Sequence, residues 1–448
     1  MSIIINLRNL AKTSLRKKAL QIAEAGYGAI EIEKAVSRKI KFQNGKLFIK
    51  SAMTRHSAET CSEFDLSVFK RVSLIGIGKG SALASMALAK ILGKRLNKGI
   101  ALDINKPSLN SKFLILNSEF LTGTHPLPSQ KNIIATEKII KLVKNLKKDD
   151  LLITIICGGG SSLLCGSKKE LKYSQTIFKN LTKAGADIFE LNTVRKHLSG
   201  VKGGGIAKMA YPATVVSLIV SDIYGNDLSF VASGPTVFDK TAKKDAIRII
   251  KKYQPKSANL SALISDLKET PKQKKYFEKV RNILFVCNQD AVMAMLEKAK
   301  KFGFSAKIYS LALQGEAKNA LLPMIRIVKS KQAVLAAGET TVNLKNRPRG
   351  KGGRNMEAVL GAISNFQFPI SKNLVILSFA SDGRDNTEAA GAIGDFLTLR
   401  TAEKLGINPR DFLEQNKSFD FFDKTGDLVY AKQSCFNVAD LMVVLKEK

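Results

Sequence analysis

The sequence predicts an α/β protein with two α/β domains, and three observations carry that expectation. Short apolar runs alternate with helix-patterned segments from about residue 70 onward. That strand–helix rhythm is the one a parallel sheet covered on both faces requires. A lysine-rich stretch with two prolines, KKYQPKSANLSALISDLKETPKQKKYFEKV, interrupts the rhythm near residues 251–280 and splits it in two.

Taken in order, the start MSIIINLRNLAKTSLRKKAL lacks acidic residues, as a transit peptide would, but its apolar spacing fits an ordinary first helix better. RVSLIGIGKG reads as a strand and a glycine-rich turn, and SALASMALAKILGKRL as the helix after it. FLILN is a second strand, ATEKIIKLVKNL a helix, LLITII a third strand, and ATVVSLIVSDIYGND a strand ending in Asp and Gly. After the interruption, NILFVCN is a strand and AVMAMLEKAKKFG its helix with a closing glycine. AVLAAGETTV and NLVILSFASDG repeat the strand-to-turn pattern. The domains are therefore placed at 1–250 (Rossmann-like, three layers, parallel sheet) and 281–448 (smaller, α/β), with 251–280 as connector and hinge.

The bulk numbers bound the function. With 448 residues the chain can bury large cores, and 45% apolar content with a mean hydropathy of −0.03 describes a soluble globular protein; its cysteine usage makes the cytoplasm the expected compartment. No apolar run approaches the roughly 18–20 residues that cross a bilayer, so no membrane is expected. The five cysteines, Cys61, Cys157, Cys165, Cys287 and Cys435, form no CxxC pair and read as reduced thiols rather than a zinc or redox site. The net charge of +34 raises nucleic acid as a partner. The lysines are scattered over helical segments, however, so solvated helix faces explain the charge and no nucleic acid is expected.

Open parallel sheets bind ligands at the carboxyl ends of their strands, and five strand ends here carry chemistry. GIGKGS sets Gly78 and Lys79 before a helix; CGGGSS supplies Gly158, Gly159, Gly160, Ser161 and Ser162. VSDIYGND carries Asp222, GETTV carries Glu339, Thr340 and Thr341, and ASDGRDNTEAAGA carries Asp382 and Asp385. Glycine reaches positive φ and lets the backbone approach an anion, a helix start adds unsatisfied N–H groups, and aspartates can hold magnesium on nucleotide phosphates. GIGKGS is neither a Walker A motif, since Gly80 follows Lys79, nor a complete GxGxxG, since Ser81 replaces the third glycine. NTVRKHLSGVKGGG gathers Asn192, Arg195, Lys196, His197 and Lys202, a pattern suited to a small carboxylate or phosphate. RPRGKGGRNMEAV puts Arg354 at a helix start, and His125 lies in the proline-bounded turn GTHPLPSQ.

Together these motifs resemble the class II glycerate kinases, the glycerate 2-kinase family whose C-terminal part is called the MOFRL domain. The likeness runs from LRKKALQIAEAGYGAI through GIGKGS, GTHPLPSQKN, CGGGSSLL, LNTVRKHLSGVKGGGIA, VSDIYGNDLSFVASGPT, LQGEA, GETTV and GGRNMEAVL to SDGRDNTEAAGA. It implies two α/β domains with the active site in the cleft between them. It also implies ATP- and Mg2+-dependent phosphorylation of D-glycerate at the 2-hydroxyl, with Lys79 and Arg354 as active-site residues. Glycerate and ATP are then the partners, with room for a homodimer. The chain departs from the family pattern at Cys157, where SGGGS is usual, and at Gly200 and Gly205, where arginines flank KGG. It departs again at Gly225–Asn226, with Asp227 one place late, and around Asp385–Asn386.

The mechanism expected on that resemblance is in-line transfer of the γ-phosphoryl group, catalysed by positioning and charge. The backbone of 158–162 cradles phosphate, and Glu339–Thr341 serves the nucleotide. Lys79 and Arg354 neutralise the transferring group, and Arg195, His197 and Asn192 hold glycerate. Asp222, with Asp382 or Asp385, holds the metal or takes the alcohol proton. The rivals are a hydroxypyruvate or tartronate semialdehyde reductase, which needs an acidic residue after the second strand, and a basic nucleic-acid-binding protein.

Overall fold

The near-continuous apolar runs are strands with both faces covered. In the computed structural model, which describes residues 2–54, 58–106, 118–253, 260–344, 350–365 and 372–447, all of Asp150–Ile156 is buried, as is Arg71–Ile77 beyond its first residue. The chain divides into two units.

The first unit holds residues 35–52 and 58–285. It opens with a small antiparallel sheet of β1 (Ile40–Gln43), β2 (Lys46–Lys50) and β3 (Cys61–Asp65). The sequence gives little warning of these strands, because each has only four or five residues and carries one or two charged side chains. The main sheet contains β4 (Arg71–Ile77), β5 (Leu96–Asp103), β6 (Ser118–Thr122), β7 (Asp150–Ile156), β8 (Thr214–Val220) and β9 (Val280–Val286). Its order is β6-β5-β4-β7-β8-β9, and the β6–β5, β5–β4, β4–β7 and β7–β8 pairings are parallel. Counted within the sheet this is 3-2-1-4-5-6, the doubly wound order, whose topological switch lies between β4 and β7. Successive side chains of β4 face opposite layers. Ile75 and Ile77 join Ile139 and Val143 of the helix Gln130–Lys144, while a Cβ on Gly76 would press on Ser85 of the helix Ser81–Leu92.

Two expectations change here. The stretch 251–280 is no free connector: Leu263 and Leu267 pack with Ile249, Ile250, Ile177 and Leu181 in a core of the first unit. NILFVCN, read as the first strand of the second domain, is the edge strand β9 beside β8. Both misreadings have one cause: an amphipathic lysine-rich helix looks like a linker when its apolar stripe is only a few residues. FLILN lies outside the described residues.

The second unit joins the first 34 residues, a short segment from Met53 and everything from Val286. Its mixed sheet has β10 (Ser305–Leu313), β11 (Gln332–Gly338), β12 (Leu374–Ala380), β13 (Gly391–Asp395), β14 (Leu428–Val429) and β15 (Asp440–Lys446) in the order β10-β11-β15-β12-β13-β14. Only the β10–β11 pair among them is parallel. The N-terminal helix Ser14–Ile30 belongs to this unit, not to the domain that follows it in sequence. The Tyr27 hydroxyl donates to the Ala380 carbonyl at 2.9 Å, and Gly26 leaves just enough room for Met295.

Arg16 is the polar anchor of that helix. It is fully buried; Nε and Nη2 donate to both oxygens of Asp395 at 2.7 and 2.6 Å, and Nη1 donates to Asp427 at 2.7 Å. Asp395 in turn caps the helix Phe396–Lys404 through the N–H groups of Leu397 and Thr398. Arg16→Met strands two buried carboxylates and is expected to destabilise this unit by about 3–5 kcal/mol, read as a lowered urea midpoint. Arg16→Lys restores only part of it, because a point charge cannot reproduce the fork.

Candidate active site

At the topological switch, Ile77 of β4 lies opposite Ile156 of β7, so the turns that follow them start side by side. The Lys79 N–H donates to the Gly158 carbonyl at 2.9 Å, and the Cys157 N–H donates to the Ile77 carbonyl at 2.8 Å. Gly78 has φ +112°, and a Cβ there would run into the Cys157 carbonyl. Only glycine fits.

Side chains from three loops converge on the second turn. A Cβ on Gly158 would overlap the Asp222 carboxylate. A Cβ on Gly159, at φ +78°, would sit 3.2 Å from Lys79 Cγ and 3.3 Å from His125 Cδ2. A Cβ on Gly160 would lie 2.6 Å from that of Ala232. Lys79, Asp222 and His125 thus pack directly on the Gly158–Gly159 backbone, brought there by β4, β8 and the loop after β6. His125 is the group whose role sequence reasoning left unassigned. It lies at the protein surface, yet loops crowd its ring, and that loss of water, with the Lys79 ammonium beside it, lowers its pKa to about 4.

Hydroxyls tie the turn to its surroundings. Ser162 Oγ donates to the Pro126 carbonyl at 2.6 Å, and the Asn132 amide donates to the carbonyls of Thr124 and Ser162, each at 3.1 Å. Ser161 Oγ lies 2.8 Å from Ser233 Oγ, which donates to Asn192 Oδ1; Arg195 Nη1 donates to the same oxygen at 3.0 Å. The Arg195 guanidinium stacks over Phe178, 4.6 Å from its centroid, and burial lowers its pKa to about 10. Asn192 and Arg195 therefore connect to the glycine turn through Ser233 and Ser161. His197 does not. It is fully buried, with Nδ1 2.9 Å from the Thr193 carbonyl and Nε2 3.3 Å from Glu269, so the expected substrate-binding role gives way to a structural one.

Cys157 is also buried, and its thiol is pushed well above the ordinary range by burial and by the charges of Asp103 and Asp222. It stays protonated and fills the space under the turn. All five cysteines are free.

In the second unit, the helix Arg354–Ser364 begins where expected. Asp385 caps it, accepting from the N–H groups of Asn355 and Met356, both at 2.9 Å. That commitment corrects its expected place as a metal ligand. Asp382 Oδ1 accepts from the Arg384 N–H at 3.1 Å. Among the described residues no group of three or more His, Cys, Asp or Glu could hold a metal ion. Arg354 pairs with Glu339 and with the buried Asp440; burial opposes the guanidinium charge, but these two carboxylates outweigh it and raise its pKa. Asp440, which the sequence analysis missed, also accepts from the Asn355 amide at 2.8 Å. Thr340 is buried, and its hydroxyl has no hydrogen-bond partner among the described residues, while Thr341 Oγ1 donates to the Gly315 carbonyl at 3.3 Å.

Two family models match this chain: "Domain of unknown function (DUF4147)" over residues 18–268 and "MOFRL family" over residues 332–440. A D-glycerate 2-kinase of Thermotoga maritima is 32% identical over 96% of this chain and 98% of its own length. The chain belongs to the glycerate 2-kinase family. A crystal structure of glycerate kinase from Thermotoga maritima superposes with a TM-score of 0.79 at 29% identity, covering 97% of this chain and 99% of the other. A relative from Agrobacterium vitis, 37% identical over 73% of this chain and 77% of its own length, carries a provisional hydroxypyruvate reductase name. No described helix is long and apolar enough to cross a membrane.

The glycine turn is the family motif whose geometry can be tested without knowing a ligand. Gly159→Ala combines left-handed strain with crowding of Lys79 and His125. Gly185→Ala carries the strain alone, since φ is +91° and nothing lies within 4 Å. Gly185→Ala is expected to destabilise by about 1–2 kcal/mol, and Gly159→Ala by clearly more, in parallel urea titrations.

Proposed function

We propose that this chain transfers the γ-phosphoryl group of ATP to the 2-hydroxyl of D-glycerate, giving 2-phosphoglycerate and ADP. One observation carries the reading: a lysine and an aspartate from different strands both pack on a glycine turn at the switch point of a doubly wound sheet, where such sheets bind ligands. The full-length likeness to a D-glycerate 2-kinase supports it.

In this reading the Gly158–Ser162 backbone cradles phosphate oxygens, and Gly78 keeps the neighbouring turn close enough for Lys79 to reach them. Lys79 stabilises charge as the phosphoryl group moves, a preorganised contribution that needs no rearrangement at the moment of transfer. Arg195, held by Asn192 and Phe178, is assigned to the glycerate carboxylate. Arg354 and the Glu339–Thr341 turn are assigned to the nucleotide. Magnesium on ATP keeps several waters and needs only one or two protein carboxylates. Asp222, against Gly158, fits that demand; Asp385, spent on a helix start, does not. The ion's contribution is to neutralise phosphate charge.

The reductase alternative meets a specific obstacle. A dinucleotide site offers the acidic residue after the second strand to the ribose, and offers the first helix start to the pyrophosphate. The second strand of this sheet, β5, does end in an acid, Asp103. It is buried, though, and turned inward: Oδ2 accepts from the Ala82 N–H at 3.0 Å and Oδ1 from the Ile104 N–H at 2.6 Å. The chain's own carboxylate thus fills the start of the helix Ser81–Leu92.

The decisive experiment incubates purified protein with ATP, Mg2+ and a panel of small hydroxy acids and identifies the phosphorylated oxygen by NMR. Transfer to the 2-hydroxyl of glycerate is expected, and nicotinamide oxidation with hydroxypyruvate is not. Lys79→Ala, folded as wild type by circular dichroism, is expected to lose about 10²–10³ in turnover; undiminished turnover would remove Lys79 from the mechanism.

A further inference from the structure

We propose that His125 is the base that takes the C2-hydroxyl proton of the substrate, a step that rests on the phosphoryl-transfer reading above. The two described histidines make the contrast. His197 is sealed in the protein with both ring nitrogens engaged. The ring of His125 has no hydrogen-bond partner among the described residues, and its Cδ2–Nε2 edge faces the glycine turn. A Cβ on Gly159 would lie 3.3 Å from Cδ2 and 3.4 Å from Nε2.

The loop that carries His125 is held for this task. Its Pro126 carbonyl accepts from Ser162, and Asn132 bridges Thr124 to Ser162, so hydrogen bonds tie the His125 loop to the glycine turn. Lys79 packs on the same glycine, its Cγ 3.2 Å from where a Cβ on Gly159 would lie. A hydroxyl attacking a phosphoryl group held on 158–162 therefore finds an ammonium for the phosphate oxygens and an imidazole for its proton.

The step balances. The C2 oxygen forms its bond to the γ-phosphorus as the bond from that phosphorus to the β,γ-bridging oxygen breaks, and the electron pair leaves on ADP. The hydroxyl proton passes to the imidazole, which is neutral at pH 7 because crowding and the Lys79 ammonium disfavour its charged form. The resulting imidazolium, at the protein surface beside a fixed cation, passes its proton to solvent and the base is reset. Asp222 stands one residue along the turn and keeps its place with the metal-bound phosphates.

The test uses the full chain, with 2-phosphoglycerate formation as readout. His125→Gln is expected to lower kcat by about 10²–10⁴-fold while KM for ATP and glycerate stays within about threefold. His125→Gly should behave alike and regain activity with added imidazole, a response that a purely loop-shaping residue would not give. A His125→Gln enzyme with kcat within about threefold of wild type overturns the proposal, as does a His125→Gly enzyme that ignores imidazole. Should neither variant fold, carbethoxylation of the wild type decides. Loss of turnover that tracks modification of His125 by mass spectrometry, and is blocked by ATP with glycerate, supports the step; full turnover after modification overturns it. Wild-type protein that makes no phosphoglycerate would instead remove the function itself, and this step with it.

Discussion

Two backbone turns lie so close at the head of the first sheet that no side chain fits between them. That constraint organises the site. The Lys79 N–H reaches the Gly158 carbonyl only because Gly78 lacks a Cβ that would strike the Cys157 carbonyl. Parallel pairing of β4 and β7 sets the distance, and the 3-2-1-4-5-6 order makes it a switch point, from which the connections leave in opposite directions. Glycines 158, 159 and 160 then bring Asp222, Lys79 with His125, and Ala232 into contact with backbone. The glycine run is a set of contact surfaces, each fitted to a different neighbour. Cys157 matters here by its carbonyl and its bulk, and its buried thiol is held in the protonated form.

Much of this was legible in the sequence. The strands β4, β7, β8, β11 and β12 and the helices after the first glycine turn follow from apolar runs and periodicity, and the turns follow from glycine placement. What sequence could not supply was partnership across distance. The first helix packs with residues almost 380 positions away because Arg16 finds Asp395 there, and no local pattern signals that pairing. The strand β9 changes units for the same reason: its residues say "strand", and only the edge beside β8 says whose. The motif NTVRKHLSG looked like one cationic cluster, yet the helix Ile188–His197 sends its residues to different places. Arg195 joins the serine network of the turn, while His197 turns into the core.

The aspartates teach a related lesson. In a chain with 72 basic and 38 acidic residues, an acid at a strand end invites assignment to a metal or a ribose. Three such acids instead close helices from within: Asp103 at Ser81–Leu92, Asp385 at Arg354–Ser364 and Asp395 at Phe396–Lys404. Helix starts present unsatisfied N–H groups and partial positive charge, so a buried carboxylate placed there is stabilised without any counterion. A carboxylate so engaged has little lone-pair capacity left for a cation. Asp222 differs in position: it lies against a glycine turn with positive φ, not on the start of a long helix.

Arg354 poses the converse problem, a cation that already has partners. Its Nε side pairs with Asp440, which is almost wholly buried and further held by the Asn355 amide, so that edge of the guanidinium is fixed. Its Nη1 pairs with Glu339, whose side chain is 57% exposed. The two pairings differ in kind. Breaking the inner one would strand a buried carboxylate, a large penalty. Breaking the outer one returns Glu339 to water, at the small cost of a surface ion pair. On the proposed assignment of Arg354 to the nucleotide, an anionic group would therefore exchange with Glu339, not Asp440, and would meet a guanidinium already oriented by its buried partner. Asp440 thereby fixes the inner edge of Arg354, and the exposed glutamate is the partner that the proposed ligand would replace.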